Sequence, residues 1–341
     1  MFMKSKIDYS KIIQSYADIS SQYDKLGLNL SQALELLLKE NSISYLSINY
    51  RIKESESFVG KIERKSYKNP LNDIEDICGV RIVCYYQSDV EKIKEIIRKE
   101  FDIVEDENKE DNLEFDQFGY RSMHYIIKIK TDWLNTPNYR GLENLKAELQ
   151  IRTVLMHAWA EIEHKLAYKS KLQIPVEFRR KLSRISAKLE ESDEQFEDIK
   201  NQIENTRNIL IESANESQAF DRETEFNLDT LQAFLDYAFP ERQKDIKATG
   251  TLFEEMIKAN ISLKVLVDGF EKSKHLLRDV EKEGAQIFFQ EDYNEDELYL
   301  LQVGAARTIL ELVDDEYFQR REHLQYDDVI PKYREILKNG A

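Results

Sequence analysis

The stretch from Lys146 to Leu166 changes period halfway along, and that change constrains the fold more than any other feature of the chain. In Ala147-Glu148-Leu149-Gln150-Ile151-Arg152 apolar and polar residues alternate, the two-residue period of a half-buried strand. After Thr153, Leu155, Trp159, Ile162 and Leu166 fall on one stripe at helical spacing, which predicts a packed helix. A strand with a carboxylate, an amide and a guanidinium in one row, running straight into a helix, can present those groups to a ligand from a rigid base. The plainer alternative is that the row faces water, as polar strand faces commonly do.

Composition narrows the class. The formal net charge of −16 argues against broad, sequence-independent nucleic-acid binding, which needs a basic footprint, but it leaves room for a local basic pocket. No apolar run approaches the ~18 residues of a membrane span, and Met1-Phe2-Met3-Lys4-Ser5-Lys6 lacks the apolar core of a secretory signal. Cys78 and Cys84 cannot complete a zinc tetrad and read as reduced core thiols of a cytoplasmic protein.

The periodicity divides the chain in two. Residues 8–50 read as helical, with Asn29 and Ser31 as cap candidates inside the run, and a short helix is expected to end near Lys65. Residues 79–86, Phe101–Glu105 and Met123–Lys130 read as strands, with a helix from Ser88 through Lys99 between the first two. This predicts an α+β domain over residues 1–174, a mixed β-sheet flanked by helices. From 175 to 341 only helical periodicity remains: one long helix over Val176–Ala214, then Leu228–Ala238, Leu252–Ile261, Leu263–Lys282, Glu295–Val313 and Asp328–Leu337. No self-similar repeat is evident in this all-α region.

Four stations carry chemistry. In Arg51-x-Lys53-x3-Ser57-x3-Lys61-x2-Arg64 the last three lie on one helical face and gather positive charge where a triphosphate could sit, or form a solvated basic face. Asp73-x2-Asp76-x2-Gly79-x-Arg81 places acidic groups before a strand and a glycine that permits close backbone approach; it suits a Mg²⁺ ligand, or an ordinary acidic turn. Phe118-Gly119-Tyr120-Arg121-Ser122-Met123-His124 offers Tyr120 as a stacking face for a base, or as a core tyrosine. His157, Glu161 and His164 have metal-ligand spacing, but no other region supplies a matching cluster.

Together, Arg-Ile-Lys…Ser…Lys…Arg, Asp-Ile-Cys-Gly-Val-Arg-Ile, Gly-Tyr-Arg-Ser-Met-His, Glu-Leu-Gln-Ile-Arg-Thr and Trp-Ala-Glu-Ile-Glu-His-Lys-Leu-Ala-Tyr-Lys resemble, in this order, the synthetase domain of the RelA/SpoT family between about Arg51 and Lys169. The resemblance implies a nucleotidyltransferase-like sheet. It implies a reaction in which the pyrophosphoryl group of ATP moves to the 3′-hydroxyl of GDP or GTP, giving (p)ppGpp and AMP. Carried over residue by residue, it implies that Arg51 and Arg81 sandwich the adenine and that Lys53, Ser57, Lys61 and Arg64 hold the ATP phosphates. Asp76 and Glu148 would bind Mg²⁺, Glu148 acting also as base. Tyr120, His124, Gln150, Arg152 and His157 would form the acceptor side.

The departures shape the expectation. The first histidine is His124 and no His-Asp pair occurs, so the alarmone hydrolysis of long family members is not expected. Where many relatives carry a Pro-Lys pair before the Gly-Tyr motif, this chain has Glu114-Phe115-Asp116-Gln117-Phe118, which leaves the acceptor open. Relatives that modify adenine nucleotides or the tRNA 3′ end form the alternative, and a silent guanine-nucleotide sensor forms a third reading. The net charge counts against the tRNA version, and a patch of Lys165, Lys169, Lys171, Arg179, Arg180 and Lys181 keeps it alive. For 175–341 the expected roles are self-association, docking of a protein partner, or self-inhibition.

Overall fold

The computed structural model describes residues 9–65, 67, 69–108, 123–166, 175–290, 293–294, 297–320 and 329–339. The chain divides into two compact units, residues 1–199 and 200–341. In the first, α1 (Tyr9–Glu40), β1 (Tyr45–Ile52), α2 (Ser55–Arg64), α3 (Pro70–Asp73), β2 (Cys78–Cys84), α4 (Gln87–Glu100) and β3 (Phe101–Asn108) are followed by β4 (Met123–Ile129), α5 (Thr131–Leu134), β5 (Ala147–Thr153), α6 (Val154–Leu166) and the start of α7 (Val176–Ser217). The five strands form one sheet in the order β1-β2-β5-β4-β3. Only β2 and β5 run parallel; the other three pairings are antiparallel, so the sheet is mixed.

One sheet face is the core. Cys78, Val80 and Ile82 of β2, Leu149 and Ile151 of β5, and Tyr125 and Ile127 of β4 are buried with Leu26, Leu30, Leu34 and Leu38 of α1 and Ile93 and Ile97 of α4. Burial of this apolar surface is the main force that fixes the register, since a slip of one residue would turn the core set outward. Both cysteines are free and buried, and burial pushes each thiol up to about 12. They are inert core groups, as expected.

The structure departs from the sequence reading at several elements. Residues 45–52 are a strand, not the end of a helix: Tyr45 to Ile52 pair with Cys84 to Cys78 of β2, and tertiary pairing outweighs the helical spacing of the residues before them. Asn29 and Ser31 cap nothing, because α1 runs unbroken; Ser31 bonds the Gly27 carbonyl and Asn29 bonds the carbonyl of Asn138. On α6, Trp159 is buried but Ile162 and Leu166 are exposed, so only part of the predicted stripe is packed.

The second unit contains the end of α7, then α8 (Leu228–Ala238), α9 (Ile246–Lys258), α10 (Leu263–Phe289), α11 (Gln302–Val313), α12 (Asp315–Arg320) and α13 (Val329–Asn339). α8 matches its predicted range and opens with a reciprocal capping box between Asn227 and Thr230. Phe234, Leu252, Met256, Leu266 and Ile309 centre its core. Glu281 is fully buried and accepts from both terminal nitrogens of Arg242 (2.8 and 2.7 Å), from Arg278 (3.1 Å) and from the Leu300 amide (2.7 Å). Among the described residues no helix is long and apolar enough to cross a membrane.

Candidate active site

The sheet face opposite the core carries the polar row. Register places Asn49, Arg81, Gln150 and His124 side by side across four strands, and Arg51, Gly79, Glu148 and Ile126 in the next row. Residues that are paired across strands share a face, so backbone pairing alone gathers groups from four distant stretches. A Cβ at Gly79 would meet only Arg51, at an ordinary 3.8 Å. The glycine is therefore not forced by packing within the chain; it leaves bare strand surface between Arg51 and Glu148.

Glu148, Gln150 and Arg152 do not merely face water. Arg152 Nη2 donates to Gln150 Oε1 (2.9 Å), and Gln150 Nε2 donates to Glu148 Oε2 (3.1 Å). His124 Nδ1 lies 2.8 Å from Glu148 Oε1. The carboxylate is thus held at both oxygens, each keeping a second lone pair for a further partner. Burial works against its charge, but the hydrogen bond and charge of His124, then Gln150, hold the carboxyl below its ordinary range. Arg152 itself is only 9% exposed. Burial, then the neighbouring Arg81, brings its guanidinium down to about 10.

Asp76 forms a second cluster at the mouth of β2. Lys53 Nζ and Lys61 Nζ lie 3.0 and 2.8 Å from its Oδ2. The Lys53 backbone is fixed from both sides, its amide on the Ile77 carbonyl and its carbonyl accepting from the Tyr16 hydroxyl. Desolvation opposes the Asp76 charge, yet bonds from Lys61 and Lys53 hold the carboxyl below its ordinary range. Asp73, the other acidic candidate, accepts from the Asn69 amide (2.9 Å) and is spent on the turn of α3. Ser57 and Arg64 are exposed on α2, and Arg64 Nε turns back to the Gly60 carbonyl.

A divalent cation fits this pair of clusters. Asp76 Oδ1 is buried with no hydrogen-bond partner, and the Asp76 charge is felt at Glu148. No group of three His, Cys, Asp or Glu side chains suited to a metal occurs among the described residues. Asp76 and Glu148 are the carboxylates that would hold such an ion, and one or two carboxylates commonly hold Mg²⁺ when phosphates and water complete its shell. His157, Glu161 and His164 do not form a metal group. Instead Glu161 Oε1 accepts from Arg81 Nη1 (2.9 Å), with His157 Nδ1 at 3.4 Å from the same nitrogen. Burial and then Arg81 lower the His157 pKa, which favours its neutral form.

Most of the sequence-derived candidates therefore meet on one face: Arg51, Lys53, Asp76, Lys61, Arg81, His124, Glu148, Gln150, Arg152 and His157. Tyr120 lies outside the described residues. The ion pair from Glu161 to Arg81 escaped the sequence reading, since the only trace of it is the i,i+4 spacing from His157. In a chain of net charge −16, Arg51, Lys53, Lys61, Arg64, Arg81 and Arg152 outnumber Asp76, Glu148 and Glu161. That local excess suits a polyphosphate.

The chain is similar to several known proteins. The model of a region found in RelA / SpoT proteins matches residues 50–173. GTP pyrophosphokinase YjbM of Bacillus subtilis (strain 168) is 33% identical over 159 residues, 45% of this chain and 71% of that protein. GTP pyrophosphokinase YwaC of the same organism is 31% identical over 179 residues, 51% of this chain and 82% of that protein. The crystal structure of small alarmone synthetase 1 from Bacillus subtilis aligns at 28% identity with a TM-score of 0.48, covering 56% of this chain and 98% of that one.

Proposed function

The chain belongs to the RelA/SpoT family, and from that premise we propose that it is a GTP pyrophosphokinase, transferring the β,γ-pyrophosphoryl group of ATP to the 3′-hydroxyl of GDP or GTP. The products are (p)ppGpp, the alarmone of the stringent response, and AMP. The observation that carries the reading is the Glu148 carboxylate, oriented by His124 and Gln150 and within electrostatic reach of Asp76.

The chemistry follows from positioning and charge. The acceptor 3′-oxygen attacks the β-phosphorus of ATP, the bond from that phosphorus to the α,β-bridging oxygen breaks, and AMP departs with the electron pair. Glu148 takes the hydroxyl proton, which its anchored, ionised carboxylate is placed to accept. Lys53, Lys61, Ser57 and Arg64 are the phosphate-binding groups. Each lysine ammonium has three donors, so it can retain Asp76 and still reach a phosphate oxygen. Mg²⁺, when held by Asp76 and Glu148, supplies neutralisation of the transferring phosphates. Arg51 and Arg81 take the adenine; Tyr120, His124, Gln150, Arg152 and His157 serve the acceptor nucleotide. A cytoplasmic location goes with these substrates. Exposed Phe178, Ile185, Phe196 and Ile199 on α7 favour a second copy or a protein partner there; sedimentation of the pure protein tests this.

The deciding experiment incubates γ-labelled ATP and Mg²⁺ with GDP, GTP, ATP or deacylated tRNA and separates the products. Label should appear on GDP or GTP. Asp76→Ala and Glu148→Ala should each abolish transfer while the far-ultraviolet dichroism stays that of wild type. Label on ATP or tRNA alone, or near-normal activity in both variants, would overturn the assignment.

A further inference from the structure

The two arginines on the donor side differ in a way their shared role does not explain. Arg51, on β1, is exposed and its side chain makes no hydrogen bond or ion pair among the described residues. Arg81, on β2, is held from α6: Glu161 Oε1 accepts from its Nη1 at 2.9 Å, and His157 Nδ1 lies 3.4 Å from that nitrogen. Glu161 and His157 are one helical turn apart, 3.9 Å between Oε1 and Nδ1, so α6 offers both groups to one guanidinium. The anchor also answers a charge problem. Arg81 and Arg152 repel each other across the same face, and Glu161 is the carboxylate that α6 sets against both.

Building on the proposed donor site, we infer that Glu161 is a positioning residue that pre-sets the Arg81 guanidinium for the base of ATP. A carboxylate that binds a guanidinium at its edge leaves the faces of the plane open for stacking on a purine. It also removes rotamer freedom before the nucleotide arrives, so less is lost on binding. Arg51 has no such anchor and is the arginine that settles once the base is present. The phosphate groups are met by Lys53 and Lys61, which Glu161 does not touch. The anchor should therefore matter for adenine and not for phosphate.

The test measures binding to the full chain by calorimetry, with Mg²⁺ and either a non-hydrolysable ATP analogue or inorganic tripolyphosphate as probe. Glu161→Ala should weaken the ATP analogue about three- to tenfold and leave tripolyphosphate as in wild type. Glu161→Gln keeps an acceptor oxygen and should recover at least half of the loss; it also serves as the readout if the alanine variant does not fold. Unchanged or tighter binding of the analogue would overturn the proposal, as would equal weakening of both probes. Wild-type protein that binds neither probe would instead fail the donor-site reading itself, and the proposal with it.

Discussion

At the scale of the residue, the site works through side chains that fix one another. Glu148 is oriented by two neighbours, and one of them, Gln150, is oriented in turn by Arg152. Because Arg152 Nη2 must meet an oxygen, the amide nitrogen of Gln150 is left to face Glu148. Gln150→Met keeps the length and loses both hydrogen bonds. We expect turnover to fall at least about tenfold, and stability to drop by about 1–3 kcal/mol as the buried guanidinium loses an acceptor. Initial rates with GDP and a thermal melt check the two halves separately. The alternation of Glu148, Gln150 and Arg152 was legible in the sequence. Their linkage was not, since period two gives the face but not which atoms meet.

Elements set the distances between clusters. β1 borders β2 and brings Arg51 to the row, and its partner in packing is α1. That contact is close at Gly27, where a Cβ would fall well inside the van der Waals envelope of the Tyr50 ring. The ring is rigid and its hydroxyl bonds Asp24 Oδ1 (3.2 Å), so it has little room to yield. Gly27→Ala gains about 1 kcal/mol in helix propensity but should lose about 1–3 kcal/mol to overpacking, so the expected net change is a lower melting temperature. A rise in melting temperature would show that Tyr50 moves freely. Helical elements with strong apolar periodicity, α4, α7, α8 and α10, read well from sequence. β1 did not, because a strand's place depends on what lies beside it.

At the scale of the molecule, each of the two units has its own core. In the second, Glu281 contributes to stability from a fully buried position. Burial disfavours its charge, but Arg242, the Leu300 amide and Arg278 overcome this and hold the carboxyl below its ordinary 4.5. A folded-state pKa below the unfolded one means that this contribution is complete above pH 4.5 and is lost as pH falls through the folded value. Glu281→Ala leaves Arg242, itself 8% exposed at the side chain, without its carboxylate partner and with only the Leu300 carbonyl to meet it, and should cost about 3–5 kcal/mol. Scanning calorimetry should show the loss in the transition of the second unit, and the variant should lack the share of the acid-induced fall that Glu281 is expected to contribute in wild type.

The sequence by itself determined the mixed α+β character, the all-helical remainder and the kinds of groups at the site. Those follow from local periodicity and residue chemistry, which a linear string records in full. Tertiary structure alone decided that Asp76 keeps a buried oxygen without a hydrogen-bond partner while Asp73 is bonded to the Asn69 amide, and that Arg81 is anchored where Arg51 is not. Such outcomes depend on which distant atoms fall within about 3 Å of each other, and no spacing along the chain encodes that.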